Sequence, residues 1–154
     1  TQGWQNIEMM MKIISKNLFP NVHYTILTNK VSTIKEKASF YNISKDKLLI
    51  TSCAPSELRY YYQKAHYAFI LREDNVVNKV ANPTKLVEYL YYGMTPIVLS
   101  PHIGDFLEYD YEYINVESFD ASLLKPHKSI KNAEIANSLL SRNKTEDLCH
   151  KLLN

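Results

Sequence analysis

The chain has 154 residues, 45% of them apolar and 22% charged, with a net charge of +2. That suits a single compact domain over residues 1–154 and is large enough to bury most of its apolar surface. The 18 basic and 16 acidic side chains are too evenly matched and spread to argue for a nucleic-acid surface. No apolar stretch approaches the roughly 20 residues of a membrane span. The first segment, Trp4 to Leu18, is interrupted by Gln5, Asn6, Glu8 and Lys12, unlike a signal peptide. Cys53 and Cys149 are lone thiols without CxxC spacing, which fits a reduced, cytoplasmic setting.

In chain order, Trp4, Ile7, Met10, Met11 and Ile14 recur at helical spacing and predict an amphipathic helix ending near Leu18, before Pro20. His23–Thr28 reads as a strand. Ser32 or Thr33 is placed to cap a helix running to about Tyr41. Leu48–Thr51 is the next strand, Ser56–Ala65 a helix opened by Pro55, and His66–Leu71 a third strand. After the polar stretch Arg72–Ala81, the pattern predicts a helix over Pro83–Tyr92, a strand over Thr95–Ser100, and a fifth strand over Tyr111–Val116. Two closing helices follow from about Asn132. Short apolar strands alternating with helices indicate an α/β fold, a doubly wound, Rossmann-like parallel sheet with helices on both faces. Such folds start with a strand, central in the order 3-2-1-4-5-6, whereas this chain starts with a helix. The first strand is therefore expected to be missing, with the cut just inside a domain boundary.

The segment Asn82 to Gly93 is the one that suggests chemistry. Asn82 suits an N-cap and Pro83 the first helical position, while Gly93 stands where a left-handed C-terminal residue belongs. On a helical wheel Leu86, Val87 and Leu90 form an apolar face, and Lys85, Glu88 and Tyr92 form another. A helix N-terminus with Thr84 and Lys85 in its first turn offers backbone N–H donors, dipole and counter-charge to a diphosphate. Glu88, one turn on, could accept hydrogen bonds from ribose hydroxyls. The competing explanation is plain: Lys85 and Glu88 are spaced for an exposed i,i+3 ion pair worth a few tenths of a kcal/mol.

The run LREDNVVNKVANPTKLVEYLYYGMTPIVLS, Leu71 to Ser100, resembles the C-terminal domain of retaining GT-B glycosyltransferases of the family 4 type, where the pattern is R-E, N-x-V and then S-P-T-K-x-x-E-Y-L-x-x-G-x-P-V-I. The HYAFILRE strand is similar to the family's A-D-x-G-x-x-L-R-E, with His66 for Asp. Gly3-Trp4-Gln5 and His102-Ile103-Gly104-Asp105 resemble two further family stretches, G-x-x-x-W-Q and x-I-G-D. The resemblance implies a domain that binds a UDP- or GDP-sugar, with no metal or other cofactor, beside an N-terminal acceptor-binding domain of the same protein. The setting it suggests is bacterial surface polysaccharide synthesis. By the same resemblance Lys85 meets the diphosphate, Thr84 with Pro83 the phosphates, and Glu88 the ribose, while Arg72 and Glu73 face the same cleft, Arg72 and Lys85 being the catalytic candidates. Many members carry two glutamates spaced E-x7-E, the first on the donor sugar; here Val80 occupies that place, leaving Glu73 as the substitute.

Other features have simpler readings. The five histidines make no metal-like pair, and His66 beside a strand reads as structural, while His102 after the fourth strand has the better claim to line a cleft. Tyr60, Tyr61 and Tyr62, with Tyr89, Tyr91 and Tyr92, read first as packing and second as base-stacking. Lys125, Lys128 and Lys131 read as a solvated basic run, with loose attraction of the full-length enzyme to the inner face of the cell membrane as the minor alternative. Three glycines without a GxGxxG leave no dinucleotide loop. The alternative function is a non-catalytic Rossmann-like module that binds a nucleotide or a protein partner. A receiver-domain version of it lacks the Asp it would need after the third strand, which instead ends at Arg72-Glu73.

Overall fold

The computed structural model describes residues 6–72 and 84–152. Helix α1, Ile7–Lys16, begins where the Asn6 side chain accepts the Met9 N–H at 3.1 Å, and it buries Met10, Met11 and Ile14. It ends at Asn17, whose amide donates to Ile13 O at 2.9 Å and accepts from Ala121 N at 2.9 Å. Strand β1, Tyr24–Leu27, follows, then helix α2, Val31–Phe40. The α2 cap differs from expectation. The helix starts at Val31, ahead of Ser32 and Thr33, and the local side-chain bond is Thr28 Oγ1 accepting Lys30 N. Its far end needs a left-handed residue, and Asn42 supplies one with φ 54°.

Strand β2, Leu48–Thr51, leads through a short 3-10 turn at Pro55–Glu57 into helix α3, Leu58–Lys64, and strand β3, Tyr67–Ile70. Helix α4, Thr84–Tyr91, and strand β4, Thr95–Val98, come next. Strand β5 is only Ile114–Asn115, shorter than the Tyr111–Val116 expected. The reason is that the preceding residues are already engaged. Tyr111 is buried with its hydroxyl donating to Pro101 O, and both backbone groups of Glu112 are held by the Asn132 side chain.

A single helix α5, Ile130–Leu152, replaces the two closing helices expected. No Pro or Gly interrupts it. The polar residues that break its apolar pattern bond back to the helix instead, with Asn137 Nδ2 on Ala133 O and Ser141 Oγ on Asn137 O, both at 2.9 Å.

The chain is therefore α/β, with parallel strands in two small sheets, β1-β2 and β3-β4-β5. Each has its own core. Met11, Ile14, Ile34, Ala38, Tyr24 and Ile50 join α1 and α2 to the first sheet, while Leu86, Leu90, Val98 and Ala136 join α4 and α5 to the second. Strand β3 serves both cores, because successive side chains point to opposite faces: Phe69 and Leu71 pack in the first, Ile70 in the second. His66 lies just before β3, its carbonyl accepting Thr95 N, and desolvation holds its imidazole below the usual histidine pKa.

Gly93 closes α4 as the sequence anticipates. It has φ 65°, its N–H bonds Leu90 O, and the Met94 N–H bonds Tyr89 O, the paired bonds of a Schellman end. A Cβ there would lie 3.1 Å from the Ser129 carbonyl oxygen. Gly93→Ala combines left-handed strain with a backbone contact, so a loss of about 2 kcal/mol is expected in urea unfolding. A loss below a few tenths of a kcal/mol would show that this turn relaxes freely.

The two cores also predict an alkaline limit. Desolvation pushes the phenol of Tyr24, in the first core, and of Tyr89, against the second, up to about 12. The unfolded chain ionises these groups near pH 10, so it binds fewer protons than the native state between pH 10 and 12. Stability is unaffected by these groups below pH 10 and falls through that window. Tyrosinate absorbance of the folded protein should still be rising nearer pH 12, together with loss of tertiary circular dichroism. A single smooth rise centred on pH 10 in the folded protein would contradict this.

Candidate functional site

Helix α4 links two parallel neighbouring strands, so it must run back along the sheet. Its first turn therefore lies at the carboxyl ends of β3 and β4, the end where open α/β sheets hold ligands. Thr84 is exposed at the first position, Lys85 follows half-buried, and Leu86 and Leu90 are fully buried beneath. Packing thus fixes which face of α4 turns away from the core. Arg72, two residues beyond the end of β3, is half-buried at the same end. His102, in the turn after β4, is there too; it is exposed, and its N–H donates to Ser100 Oγ at 3.3 Å. Glu73, Pro83, Asn82 and Val80 lie outside the described residues.

Lys85 and Glu88 are brought together, and a third group joins them. The Lys85 ammonium donates to Glu88 Oε2 at 2.9 Å and to the Tyr62 hydroxyl at 2.9 Å, while that hydroxyl donates to Glu88 Oε2 at 3.1 Å. The i,i+3 ion pair weighed from spacing alone is therefore formed, and the phenol of Tyr62 bridges it. Burial favours the neutral amine of Lys85, but the hydrogen bonds to Tyr62 and Glu88 outweigh it and hold the ammonium above the usual lysine range. Burial likewise raises the Tyr62 phenol, with Lys85 pulling the other way. At neutral pH the triad is a cation, a neutral phenol and an anion.

This arrangement aims Lys85 along α4, toward Glu88 one turn on. Contact with an anion at the helix N-terminus requires the ammonium to change partners. The side chains of Lys85 and Glu88 are 37% and 36% exposed, so the pair is screened and contributes only about 0.3–0.5 kcal/mol. The exchange is cheap beside a charge-assisted bond to phosphate, worth about 1.5–3 kcal/mol.

The tyrosine clusters meet each other. Tyr62 stands edge-on to Tyr89 and Tyr92 with ring centroids 5.5 Å apart in both cases, which docks α3 on α4. Tyr60, which is 55% exposed, instead lies under the Lys64 ammonium at 4.0 Å. The reading of the basic run as solvated holds for the exposed Lys125 and Lys131 and requires correction at Lys128. Lys128 donates to the carbonyls of Tyr62, at 2.8 Å, and Ala65, closing the end of α3 that has no further intrahelical donors. Lys131 pairs with Asp110 at 2.6 Å. Neither the Tyr62 bridge nor the Lys128 cap was legible in the sequence, since their partners lie 23 and 66 residues away.

Among the described residues no group of three His, Cys, Asp or Glu side chains could hold a metal ion, and no helix is long and apolar enough to cross a membrane. Cys53 is a free, half-buried thiol. No protein-family model, no curated protein and no solved structure matches this chain.

Proposed function

We propose that this chain is the donor-binding half of a glycosyltransferase, holding a nucleoside-diphosphate sugar at the first turn of α4. The observation that carries the proposal is the position of that turn: Thr84 and Lys85 open a helix at the carboxyl ends of two parallel strands, over a fully buried Leu86 and Leu90. The backbone N–H groups of that turn and the helix dipole favour an anion there, and the Lys85 ammonium can join them by leaving Glu88 and Tyr62. Glu88 is one turn away for ribose hydroxyls, and Arg72 stands at the same sheet end.

In this reading the two sheets are parts of one doubly wound sheet. The orders β2-β1 and β3-β4-β5 correspond to strands 3-2 and 4-5-6 of the order 3-2-1-4-5-6, with position 1 open between β1 and β3. The ligand crevice of such a sheet lies where the strand order reverses, next to β3. As the glycosidic bond breaks, negative charge grows on the leaving diphosphate. The helix N-terminus and, once it has left the triad, the Lys85 ammonium stabilise that charge. The acceptor is bound by a second domain, and surface polysaccharide is the product class that the sequence resemblance suggests.

One observation favours the second reading, a non-catalytic nucleotide- or partner-binding module: the Lys85–Glu88–Tyr62 triad satisfies its own members without any ligand. Calorimetric titration with UDP, GDP and ADP separates the two. The glycosyltransferase reading expects one of the first two to be preferred and the preference to depend on Lys85. Equal binding of all three, or binding of none, rejects it.

A further inference from the structure

Tyr62 reaches the Lys85–Glu88 pair from a helix that is too short to hold itself. Helix α3 has seven residues, whereas isolated helices below about 12–15 residues are marginal in water. The carbonyls of a last helical turn also lack intrahelical donors. In α3 the Tyr61 carbonyl accepts Ala65 N, and those of Tyr62 and Ala65 accept the Lys128 ammonium. Tyr62 therefore carries both ends of one connection. Its carbonyl is bonded to Lys128 at 2.8 Å, and its hydroxyl meets Lys85 at 2.9 Å and Glu88 at 3.1 Å. The edge-on rings of Tyr89 and Tyr92 hold its side chain against α4, and Lys128 holds the backbone from which that side chain hangs.

Lys128 is itself fixed by something other than α3. It lies in the segment between β5 and α5, which is tied down on both sides of it. Upstream, Ala121 N donates to Asn17 Oδ1 and the Tyr67 hydroxyl donates to Lys125 O, both at 2.9 Å. Downstream, Ser129 N donates at 2.7 Å to the carbonyl of Gly93, the residue that closes α4. Gly93 has no side chain to hold that segment off. A Cβ there would meet Ser129 O at 3.1 Å and Lys128 Cβ at 3.4 Å. Burial lowers the Lys128 pKa, so the two carbonyl bonds are what favour an ammonium at this place.

We infer that Lys128 is a positioning residue for Lys85: by holding the Tyr62 carbonyl it keeps the Tyr62 hydroxyl on the Lys85 ammonium, and so keeps that ammonium turned toward Glu88 and away from the first turn of α4. The inference rests on the reading of that turn as an anion site and adds how the site is regulated. The resting site is held back from the far end of α3. Any change that draws Lys128 off its two carbonyls loosens Tyr62 and makes Lys85 easier for a diphosphate to recruit. Lys128 acts through Tyr62, so its effect must vanish when the Tyr62 hydroxyl is absent.

Two measurements on Lys128→Met test it, the first with no nucleotide present. Proton exchange of the Lys85 ammonium is followed by nitrogen NMR, its signal assigned by loss in Lys85→Met. Lys128→Met should speed that exchange about 2–10-fold, as Tyr62→Phe does, the change expected for one lost hydrogen bond. Lys128→Arg, whose fork of donors spans two carbonyls, should restore the wild-type rate. Adding Lys128→Met to Tyr62→Phe should change nothing further. An unchanged rate in Lys128→Met overturns the inference, and so does a double variant whose effects simply add. If circular dichroism shows Lys128→Met unfolded, Lys128→Gln takes its place; its amide serves one carbonyl, so a smaller acceleration is expected and none overturns the inference. The second measurement is calorimetric titration with UDP and GDP. Whichever the wild type prefers should bind about 2–10-fold tighter to Lys128→Met, and weaker binding overturns the inference. Binding of neither nucleotide rejects the anion site alone, and the Lys85 exchange rates still decide the role of Lys128.

Discussion

Replacing Asn132 by alanine should lower the thermal midpoint by about 6–12 °C, from a loss of about 3 kcal/mol at 2–4 °C per kcal/mol for a domain of this size. Asn132 is fully buried, and every polar atom of its side chain is used. The amide nitrogen donates to Met94 O at 3.0 Å and to Glu112 O at 2.9 Å, and the oxygen accepts the Glu112 N–H at 2.8 Å. One side chain thereby joins the lead-in to β4, the lead-in to β5 and the first turn of α5. Alanine would strand three backbone groups, and leaving a buried one unpaired costs about 1–3 kcal/mol. The two on Glu112 can recover water in part, since that residue is exposed, so the total stays below the simple sum.

Asn132→Asp is the sharper variant. It keeps the size and the acceptor but sets a carboxylate against two carbonyl oxygens, so it should be at least as damaging as alanine. If aspartate were tolerated while alanine was not, the loss would be one of volume and not of hydrogen bonding. The helix cap beside it, Ser129 Oγ accepting Asn132 N at 3.1 Å, survives both changes and serves as an internal control.

The second large effect expected is on ligand binding. Lys85→Met should weaken the preferred nucleotide by about 10–100-fold, corresponding to the 1.5–3 kcal/mol of a charge-assisted bond. Its cost to folding should stay near the few tenths of a kcal/mol of a half-exposed ion pair. Methionine keeps the aliphatic stem that packs on α4 and removes only the charge. Tyr62→Phe complements it. That change releases Lys85 from one of its two present partners while keeping the edge-on contacts with Tyr89 and Tyr92. Binding that is unchanged or tighter in Tyr62→Phe, together with the loss in Lys85→Met, is the signature of a lysine that leaves the triad for a phosphate. Equal affinity in wild type and Lys85→Met would mean that the triad is purely structural and that the anion-binding role is wrong.

Much of the fold could be read from the sequence because its signals are local. Apolar spacing places α1, the β-branched and aromatic runs place β1 to β4, and Gly93 marks the end of α4 because only a left-handed residue completes that turn. The apolar face of α4, Leu86 with Leu90, was legible for the same reason. The errors fall where distant groups compete for the backbone. Strand β5 is cut short because Asn132, twenty residues on, takes the hydrogen bonds of Glu112 that a ladder would use. The closing helix runs on because no Pro or Gly interrupts it, and Asn137 and Ser141 are accommodated by bonding back to carbonyls one turn earlier.

The Lys85–Glu88 spacing is likewise a property of the sequence, and it is compatible with both an ion pair and an open anion site. Only the tertiary structure brings Tyr62 across from α3 to close the triad, and only it turns Lys128 from a surface charge into the cap of α3. The same division applies to the sheet. Alternating strands and helices determine an α/β chain with parallel strands, because each helix returns the chain to the end where the next strand starts. That β3 also packs into the core of the first sheet, with Phe69 stacked on Tyr24, is decided by side chains meeting across the molecule, which no local pattern encodes.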